Sequence, residues 1–412
     1  MPALVFNSHG RRRRVVSDNH PGLSHAPLNI QKAEAPLPLH PGWIAGELHC
    51  HTSYGCDQVE FGAPLEAIKR TSGAMGLQFA ALTDHSYNLD DLPDDYLTND
   101  PELTKWKLLK EEAFRLNRDG GVQLLPGEEL SCRSSQGRNA HLLVIGNDEF
   151  LPGSGDSAEK WLHNRSELSV AEALSRISPD AFAAAAHPLT HPPLLERLLV
   201  HRGEWRAEDL TNPHLDGWQI VNGGWGNDFA RGRSLLNDQL RKGRFIRIFG
   251  GDDAHGNFNR FRQVGLTMIR LRENGGNIFG RFTTRLKTDA HTAHSIITAL
   301  KNAPVQVSDG PSLDYEIDLK AGMATIRWLS TAEFGTVSQV RTNIWWNGRE
   351  ESSTISPSQK SLYAGEISQK VSSSGFISAE LIASSEDGRR SRSLLGPITL
   401  GQALNPTSRS PL

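Results

Sequence analysis

Short apolar segments alternate with stretches of helical periodicity through residues 43–305, and this alternation most restricts how the 412-residue chain can fold. The predicted helices are Pro64–Met75, Glu102–Leu116, Val170–Ile177 and Arg231–Lys242. The predicted strands are Gly46–Cys50, Gln78–Thr83, Gln123–Leu125, Ala140–Ile145, Ala181–Ala186, Gly217–Val221 and Arg244–Phe249. Strands that alternate with helices favour an α/β fold with a parallel sheet. Seven of them favour a closed barrel over a short open sheet.

The pattern changes after Asn302, where short strand-like segments follow one another without a long helical stripe. Asn347-Gly348 and Asp387-Gly388 are typical turn sequences between such segments. This part of the chain therefore predicts a small C-terminal all-β sandwich domain. We expect a disordered N-terminal extension over residues 1–42, a barrel domain over 43–305 and the β domain over 306–412.

Composition excludes several classes of protein. The net charge of −3 gives no reason to expect a nucleic-acid partner, and no run of about 18 apolar residues predicts a membrane span. Three cysteines are too few for a disulfide framework, which favours a reducing, cytoplasmic location. The basic run Arg11–Arg14 is interpreted as part of a solvated tail, with a patch for an anionic partner as the alternative.

The strongest chemical signal begins at the end of the first predicted strand. His49 and His51 are two residues apart, so in a strand their imidazoles point to the same side, while Cys50 points away. Such a pair alone is weakly specific, because two histidines on one strand are often structural. Asp57 follows in the next loop as a further oxygen donor.

Five more segments carry histidine or carboxylate side chains where predicted strands end. Their candidate ligands are His85, Glu129, His141, His187, Asp253 and His255. In α/β barrels the ends of the strands meet at one rim, where sites are built. Imidazoles and carboxylates that converge on one rim are the ligands that divalent metals require. Mixed nitrogen and oxygen donors suit Zn, Mn or Fe.

The ordered set HxH, TDH, GxE, HxxxxG, HP and DAH resembles the PHP (polymerase and histidinol phosphatase) superfamily of metallohydrolases. The resemblance covers residues 43 to about 310 and implies a distorted seven-stranded α/β barrel with two to three divalent ions. It implies nine ligands: His49, His51, Asp57, His85, Glu129, His141, His187, Asp253 and His255. By this analogy Glu129 bridges two ions. Asp253 joins His49 and His51 on the first ion, His141 and His187 hold the second, and Asp57, His85 and His255 hold the third.

The segment Gly251–Arg260 and the string Ser308-Asp309-Gly310-Pro311 are similar to the carbaryl-hydrolase-like (CehA/McbA) subgroup of that superfamily. Three positions depart from the usual pattern. Glu47 replaces the more usual Asp before the first His, Gln58 replaces a Gly, and Gln219 stands where a Glu is common. None of the three removes an expected ligand, so they bear on specificity more than on catalysis.

The resemblance implies hydrolysis of a small-molecule ester, most simply a phosphomonoester or phosphodiester attacked by a metal-activated hydroxide. The alternatives are a carboxyl or carbamate ester hydrolase and a non-catalytic, metal-stabilised scaffold. Asp84 is a candidate catalytic residue that orients a ligand or moves a proton, or a carboxylate that only holds the strand end. The candidate substrate-binding residues are Arg133, Arg138, Arg260 and Arg262, with ordinary solvated arginines as the alternative.

A second DAH string, Asp289-Ala290-His291, precedes an apolar-periodic stretch, so Asp289 is predicted to be a helix N-cap rather than a ligand. The acidic stretch 90–100 follows His85 and is long enough for a lid that favours a small substrate.

Overall fold

The computed structural model describes residues 37–55, 62–155, 157, 165–255 and 277–401, together with the backbone of four short strands outside these ranges. The helices are α1 (Leu65–Ala74), α2 (Ser86–Leu89), α3 (Thr104–Asn117), α4 (Val170–Arg176), α5 (Leu194–Leu199), α6 (Ala207–Leu210), α7 (Asn227–Arg241) and α8 (Ala293–Asn302). Two 3₁₀ turns span Ser53–Gly55 and Gln359–Ser361.

The strands are β1 (Leu4–Phe6), β2 (Arg12–Arg14), β3 (Trp43–Cys50), β4 (Phe79–Leu82), β5 (Asp91–Leu92), β6 (Asp95–Asn99), β7 (Gln123–Arg133), β8 (Asn139–Ile145), β9 (Phe182–Ala185), β10 (Gly217–Asn222) and β11 (Ile248–Gly251). They continue with β12 (Arg262–Gln263), β13 (Arg270–Leu271), β14 (Thr283–Lys287), β15 (Val305–Ser308), β16 (Ser312–Asp318), β17 (Met323–Leu329), β18 (Thr336–Trp346), β19 (Arg349–Ile355), β20 (Ala364–Lys370), β21 (Gly375–Ser384) and β22 (Arg390–Leu400). The chain is therefore a mixed α/β protein with few long helices, as the alternating pattern predicts in outline.

One sheet of 13 strands runs through the described part of the chain, in the order β11-β10-β9-β8-β7-β4-β3-β14-β15-β22-β21-β18-β19. The prediction of a parallel sheet is wrong for part of it, because β8 runs antiparallel to both β7 and β9. Only residues 134–138 connect β7 to β8, which is too short for the crossover that parallel neighbours need. The seven strands predicted from the sequence correspond to β3, β4 and β7 to β11, and their other pairings are parallel.

The first and last of the seven strands also meet. Cys50, at the end of β3, forms a parallel bridge with Ala254, just beyond β11. His51 N donates to Ala254 O at 2.9 Å, and Ala254 N donates to His49 O at 3.2 Å. This contact brings the segments around His49 and Asp253 together, although some 200 residues separate them in the sequence.

The C-terminal strands form antiparallel neighbours within the large sheet, and β16, β17 and β20 form a separate three-stranded sheet. One apolar cluster joins side chains of both, among them Ile326 and Trp328 of β17 with Leu381 of β21. β15 pairs with β14 on one side and with β22 on the other. The large sheet thus crosses the boundary predicted at residues 305/306, and the domain limits stay a prediction.

Helix positions follow from apolar periodicity and capping. Trp106, Leu109, Ala113 and Leu116 form the buried stripe of α3, as their spacing predicts. The prediction that Asp289 caps α8 is wrong, because the N-cap is Thr292, whose side chain accepts from Ser295 N in a capping box. None of the helices in the described ranges has the length and apolar character needed to cross a membrane.

Candidate metal centre

The end of β3 presents His49 and His51 to the same side, as the alternation of a strand predicts. His49 Nε2 lies 3.2 Å from Glu129 Oε2 and 3.4 Å from Asp253 Oδ1. His51 Nε2 lies 3.4 Å and 3.2 Å from the same two atoms. Between them, Cys50 points away and its thiol donates to Ala81 O at 3.1 Å. The prediction that this thiol does not face the ligands is confirmed.

Glu129 lies at the centre of the cluster and is 1% exposed. Its Oε2 is also 3.2 Å from His85 Nδ1, at the junction of β4 and α2. Its Oε1 lies 2.6 Å from His141 Nδ1 and 2.9 Å from His187 Nε2. One carboxylate therefore faces three imidazoles with one oxygen and two with the other. His141 lies near the N-terminal end of β8 rather than its C-terminal end, because β8 runs antiparallel to its neighbours.

The distances between donor atoms have the size that a coordinated metal would impose. Four ligands at about 2.0–2.1 Å from a tetrahedral ion lie about 3.3 Å from one another. The contacts of Glu129 Oε2 and Asp253 Oδ1 with the imidazoles of His49 and His51 are all 3.2–3.4 Å. Among described residues, neither His49 Nε2 nor Glu129 Oε2 makes a hydrogen bond of acceptable geometry, although both atoms are buried. Buried polar atoms are normally satisfied, so this donor set fits a cation between them.

Three overlapping groups of side chains each place their donor atoms within 4.8 Å of one another. They are His49, His51, Glu129 and Asp253; His51, His85 and His255; and His85, Glu129 and His141. The first group matches the first ion implied by the family resemblance. The third contains His85 where the resemblance expects His187, although His187 contacts the same oxygen of Glu129 as His141 does. The cluster could therefore bind metal ions, and their number and identity stay predictions.

The electrostatics of the metal-free cluster are those of a carboxylate pair surrounded by imidazoles. Burial favours neutral Glu129, but His141, His49 and His85 outweigh it and hold its pKa well below the usual range. Burial likewise opposes the charge on His51, yet the nearby carboxylates of Asp253 and Glu129 outweigh it and raise its pKa to about 10. A metal ion that binds here would compete with protons for these side chains.

The side-chain amides of Gln219 and Asn222 contact two of the candidate ligands. Gln219 Oε1 lies 3.0 Å from His49 Nδ1, and Gln219 Nε2 donates to Asn222 Oδ1 at 3.0 Å. Asn222 Nδ2 in turn lies 3.4 Å from Asp253 Oδ2. A hydrogen bond to the far nitrogen of an imidazole fixes which nitrogen faces the metal. Gln219 thus orients His49.

The carboxylate of Glu47 accepts hydrogen bonds from backbone N–H groups around the ligands. One oxygen accepts from His49 N at 2.9 Å and Asp252 N at 3.0 Å, and the other accepts from Gly280 N at 3.0 Å. Burial beside the carboxylate of Glu47 raises the pKa of Asp252 well above its usual range. Glu47 thus joins the two segments that carry His49 and Asp253.

Two expected ligands have left-handed backbone, which is costly for residues other than glycine. His187 has φ 29° and Asp253 has φ 52°. His201 has φ 54°, and the next residue, Arg202, places Nη2 3.1 Å from His141 Nδ1. Strained residues often persist at functional sites, where the surrounding structure holds them.

Asp84 is fully buried next to the cluster, but its contacts are with Thr52. Oδ1 accepts from Thr52 N at 2.6 Å and Oδ2 accepts from Thr52 Oγ1 at 2.7 Å. These contacts fit the alternative in which Asp84 holds the end of β3, and its catalytic role stays a prediction. Asp57 lies outside the described residues.

The four arginines predicted to bind substrate fall in different places. Arg133 Nη2 lies 3.5 Å from Glu172 Oε2, and Arg138 Nη1 donates to Arg197 O at 3.0 Å. Arg260 and the side chain of Arg262 lie outside the described residues. Sequence reasoning missed Arg202, because it stands in a loop with no motif around it. Only the fold brings it against His141.

A scan against models of known protein families finds no match for this chain, and no curated protein matches it. The functional assignment therefore depends on the geometry of the cluster and on the motifs that build it.

Proposed function

We propose that this protein is a metal-dependent hydrolase of the PHP type that acts as a phosphoesterase on a small phosphomonoester or phosphodiester. The observation that carries the proposal is Glu129, whose two oxygens each face imidazoles from separate strands or loops at 2.6–3.4 Å. A buried carboxylate shared in this way is suited to bridging two cations.

The fold is consistent with this proposal. We infer that β3, β4 and β7 to β11 form the distorted seven-stranded barrel of the family, because they are consecutive in the sheet and Cys50 bridges to Ala254. We also infer that the three-stranded sheet and the strands β18, β21 and β22 form a β-sandwich, because they share one apolar cluster. The small number of long helices is a departure from a regular barrel of alternating strands and helices.

The first ion would be held by His49, His51, Glu129 and Asp253, and the second by Glu129 with His141 and His187. The third would be held by His85 and His255, with Asp57 as the remaining ligand expected from the sequence. Bound divalent ions lower the pKa of water and neutralise charge on substrate oxygens, which is the chemistry that phosphoester hydrolysis needs.

The residues of the chain prepare this site in three ways. Gln219 orients His49, and Asn222 orients Asp253. The strained backbone of His187 and Asp253 aims their side chains inward. Arg202 supplies a guanidinium beside His141, where it can donate to an anionic oxygen of the substrate. This cation favours a phosphoester over a neutral carboxylester.

The proposal is tested by metal content and turnover together. Purified protein is assayed by mass spectrometry for bound metals and for hydrolysis of bis-p-nitrophenyl phosphate and p-nitrophenyl acetate, with and without added Mn. The Asp253→Ala variant is compared with Asp119→Ala, a control at an exposed position. We expect two to three metals and phosphodiester turnover, both lost only in Asp253→Ala.

The other outcomes contradict the proposal in distinct ways. Turnover of the acetate alone would support the carbaryl-hydrolase-like alternative. Bound metal without turnover, equal in both variants, would support the non-catalytic scaffold. Failure to bind metal after reconstitution would overturn the metal centre itself.

A further inference from the structure

A cavity of about 140 Å³ lies among four segments of the chain. Its lining comes from the turn between β7 and β8, the loop that follows His187, helix α5 and the segment before α6. We call it the cationic pocket. Its polar lining residues are Gln136, Arg138, His191, Arg197, Glu204 and Arg206.

The charge of the cationic pocket is strongly unbalanced. Three guanidinium groups, of Arg138, Arg197 and Arg206, line it against one carboxylate, that of Glu204. Glu204 Oε1 is already engaged, 2.6 Å from His191 Nδ1 and 3.4 Å from Arg231 Nη1. The free volume therefore faces an excess of positive charge. An anion bound between the arginines would offset the repulsion between their like charges.

Two of the three arginines, Arg138 and Arg206, donate hydrogen bonds to neighbouring segments. Arg138 Nη1 donates to Arg197 O at 3.0 Å, which ties the β7–β8 turn to α5. Arg206 donates to the side chain of Gln136. A Cβ on Gly203 would lie 2.5 Å from Arg138 Cβ, so only glycine lets this segment pack on Arg138. Side chains restrained in this way lose less entropy when they bind a ligand.

One segment of the chain, residues 202–205, contacts both the pocket and the metal centre. Gly203 of the pocket follows Arg202, whose guanidinium lies beside His141. Trp205 ties the same segment to the centre, since its Nε1 donates to His141 O at 3.0 Å and its N donates to Pro188 O at 3.2 Å. This segment therefore links the lining of the pocket to His141.

We propose that the cationic pocket binds a second anionic group, a carboxylate or a phosphate, of the small molecule whose ester lies at the metal centre. This inference rests on the proposed function and narrows its substrates to small anions with a second negative charge. A volume of this size has room for one such group. Arginine is the residue best suited to these groups, because its fork binds two oxygens at once.

The test uses phosphonocarboxylates with two to five methylene groups, each compared with the alkylphosphonate of equal length. These probes differ only in the carboxylate and are not hydrolysed. Binding to the metal-loaded protein is measured by calorimetry for wild type, for the double variant Arg197→Gln/Arg206→Gln and for Arg390→Gln, an exposed control outside the pocket.

We expect at least one phosphonocarboxylate to bind the wild type about tenfold more tightly than its alkylphosphonate, as a charge-assisted hydrogen bond predicts. The advantage should vanish in the double variant and persist in Arg390→Gln. No advantage at any length, or an advantage that survives in the double variant, would overturn the proposal.

A second measurement needs neither metal nor a variant. Chelator-treated wild-type protein is modified with phenylglyoxal, and the modified arginines are identified by peptide mass spectrometry. We expect the phosphonocarboxylate that binds best, or a carboxylate such as propionate at high concentration, to protect Arg197 and Arg206 but not Arg390. Protection without metal binding would leave the pocket standing while the proposed function fails. Metal-dependent turnover without protection of Arg197 and Arg206 would support the proposed function and contradict the anion-binding role of the pocket.

Discussion

Two buried glutamates, Glu129 in β7 and Glu380 in β21, show how differently the two parts of the chain use a buried charge. Glu129 is 1% exposed and faces five imidazoles. Glu380 is 5% exposed and faces two guanidinium groups, with Arg233 Nη1 at 2.5 Å and Arg392 Nη1 at 3.3 Å. Both carboxylates are buried, but only the second has partners that carry a permanent charge.

The two glutamates differ in whether their partners can give up a proton and bind a metal instead. Arginines cannot lose their proton, so the ion pairs of Glu380 are fixed and join α7 and β22 to β21. Imidazoles can give up a proton and bind a metal instead, so the contacts of Glu129 can be replaced by coordination bonds. Burial of a carboxylate alone does not indicate function. The chemistry of its partners decides whether it can bind a metal or only form fixed ion pairs.

The largest expected effect follows from removing the charge of Glu129. Glu129→Gln should lose all stoichiometric metal and phosphodiester turnover, with metal affinity more than about 100-fold lower, because a bridging ligand is lost. Metal content by mass spectrometry checks this. Glu380→Gln is the matched control and should keep its metal. Metal loss in both variants would show that the comparison is false.

Chelation of the metal should affect the two parts of the chain unequally. A metal present at 100 to 1,000 times its dissociation constant stabilises the folded state by about 3–4 kcal/mol. On chelation, amide hydrogen exchange should accelerate around the ligands in β3, β7 and β8 and stay unchanged in β18 and β21. Equal acceleration in both regions would mean that they open as one cooperative unit.

The converse substitution should affect stability rather than metal. Glu380→Gln leaves two partly buried arginines without their partner and should lower the free energy of unfolding by about 3 kcal/mol. Denaturant titration of the metal-free protein measures this. A stable Glu380→Gln protein would remove the structural role assigned to this ion pair.

The smallest effect is expected from the amide behind His49. Gln219→Leu removes the hydrogen-bond acceptor at His49 Nδ1 and should weaken metal binding about 10- to 100-fold while the fold is retained. Competition with a chelator of known affinity measures the change. Gln219→Glu, which keeps an acceptor at His49 Nδ1, should match or exceed the wild-type affinity. Unchanged affinity in Gln219→Leu would leave His49 oriented by the backbone alone.

Local sequence determined much of the strand and helix pattern and the identity of the candidate ligands. The buried apolar runs became strands, and His49, His51, His85, Glu129 and Asp253 converge as their positions predict. Short-range rules suffice for this, because alternation decides which side chains share a face and strand ends decide which polar groups approach the rim.

The tertiary structure decided what depends on contacts between distant segments. The reversal of β8 follows from a five-residue connection and not from the apolar pattern, which is the same for both strand directions. Arg202 and the arginines of the cationic pocket lie in loops without a motif, and only packing against His141 and Gly203 assembles them. A sequence lists the groups that can bind a metal or an anion. The distances between them are set by packing between residues far apart in the chain.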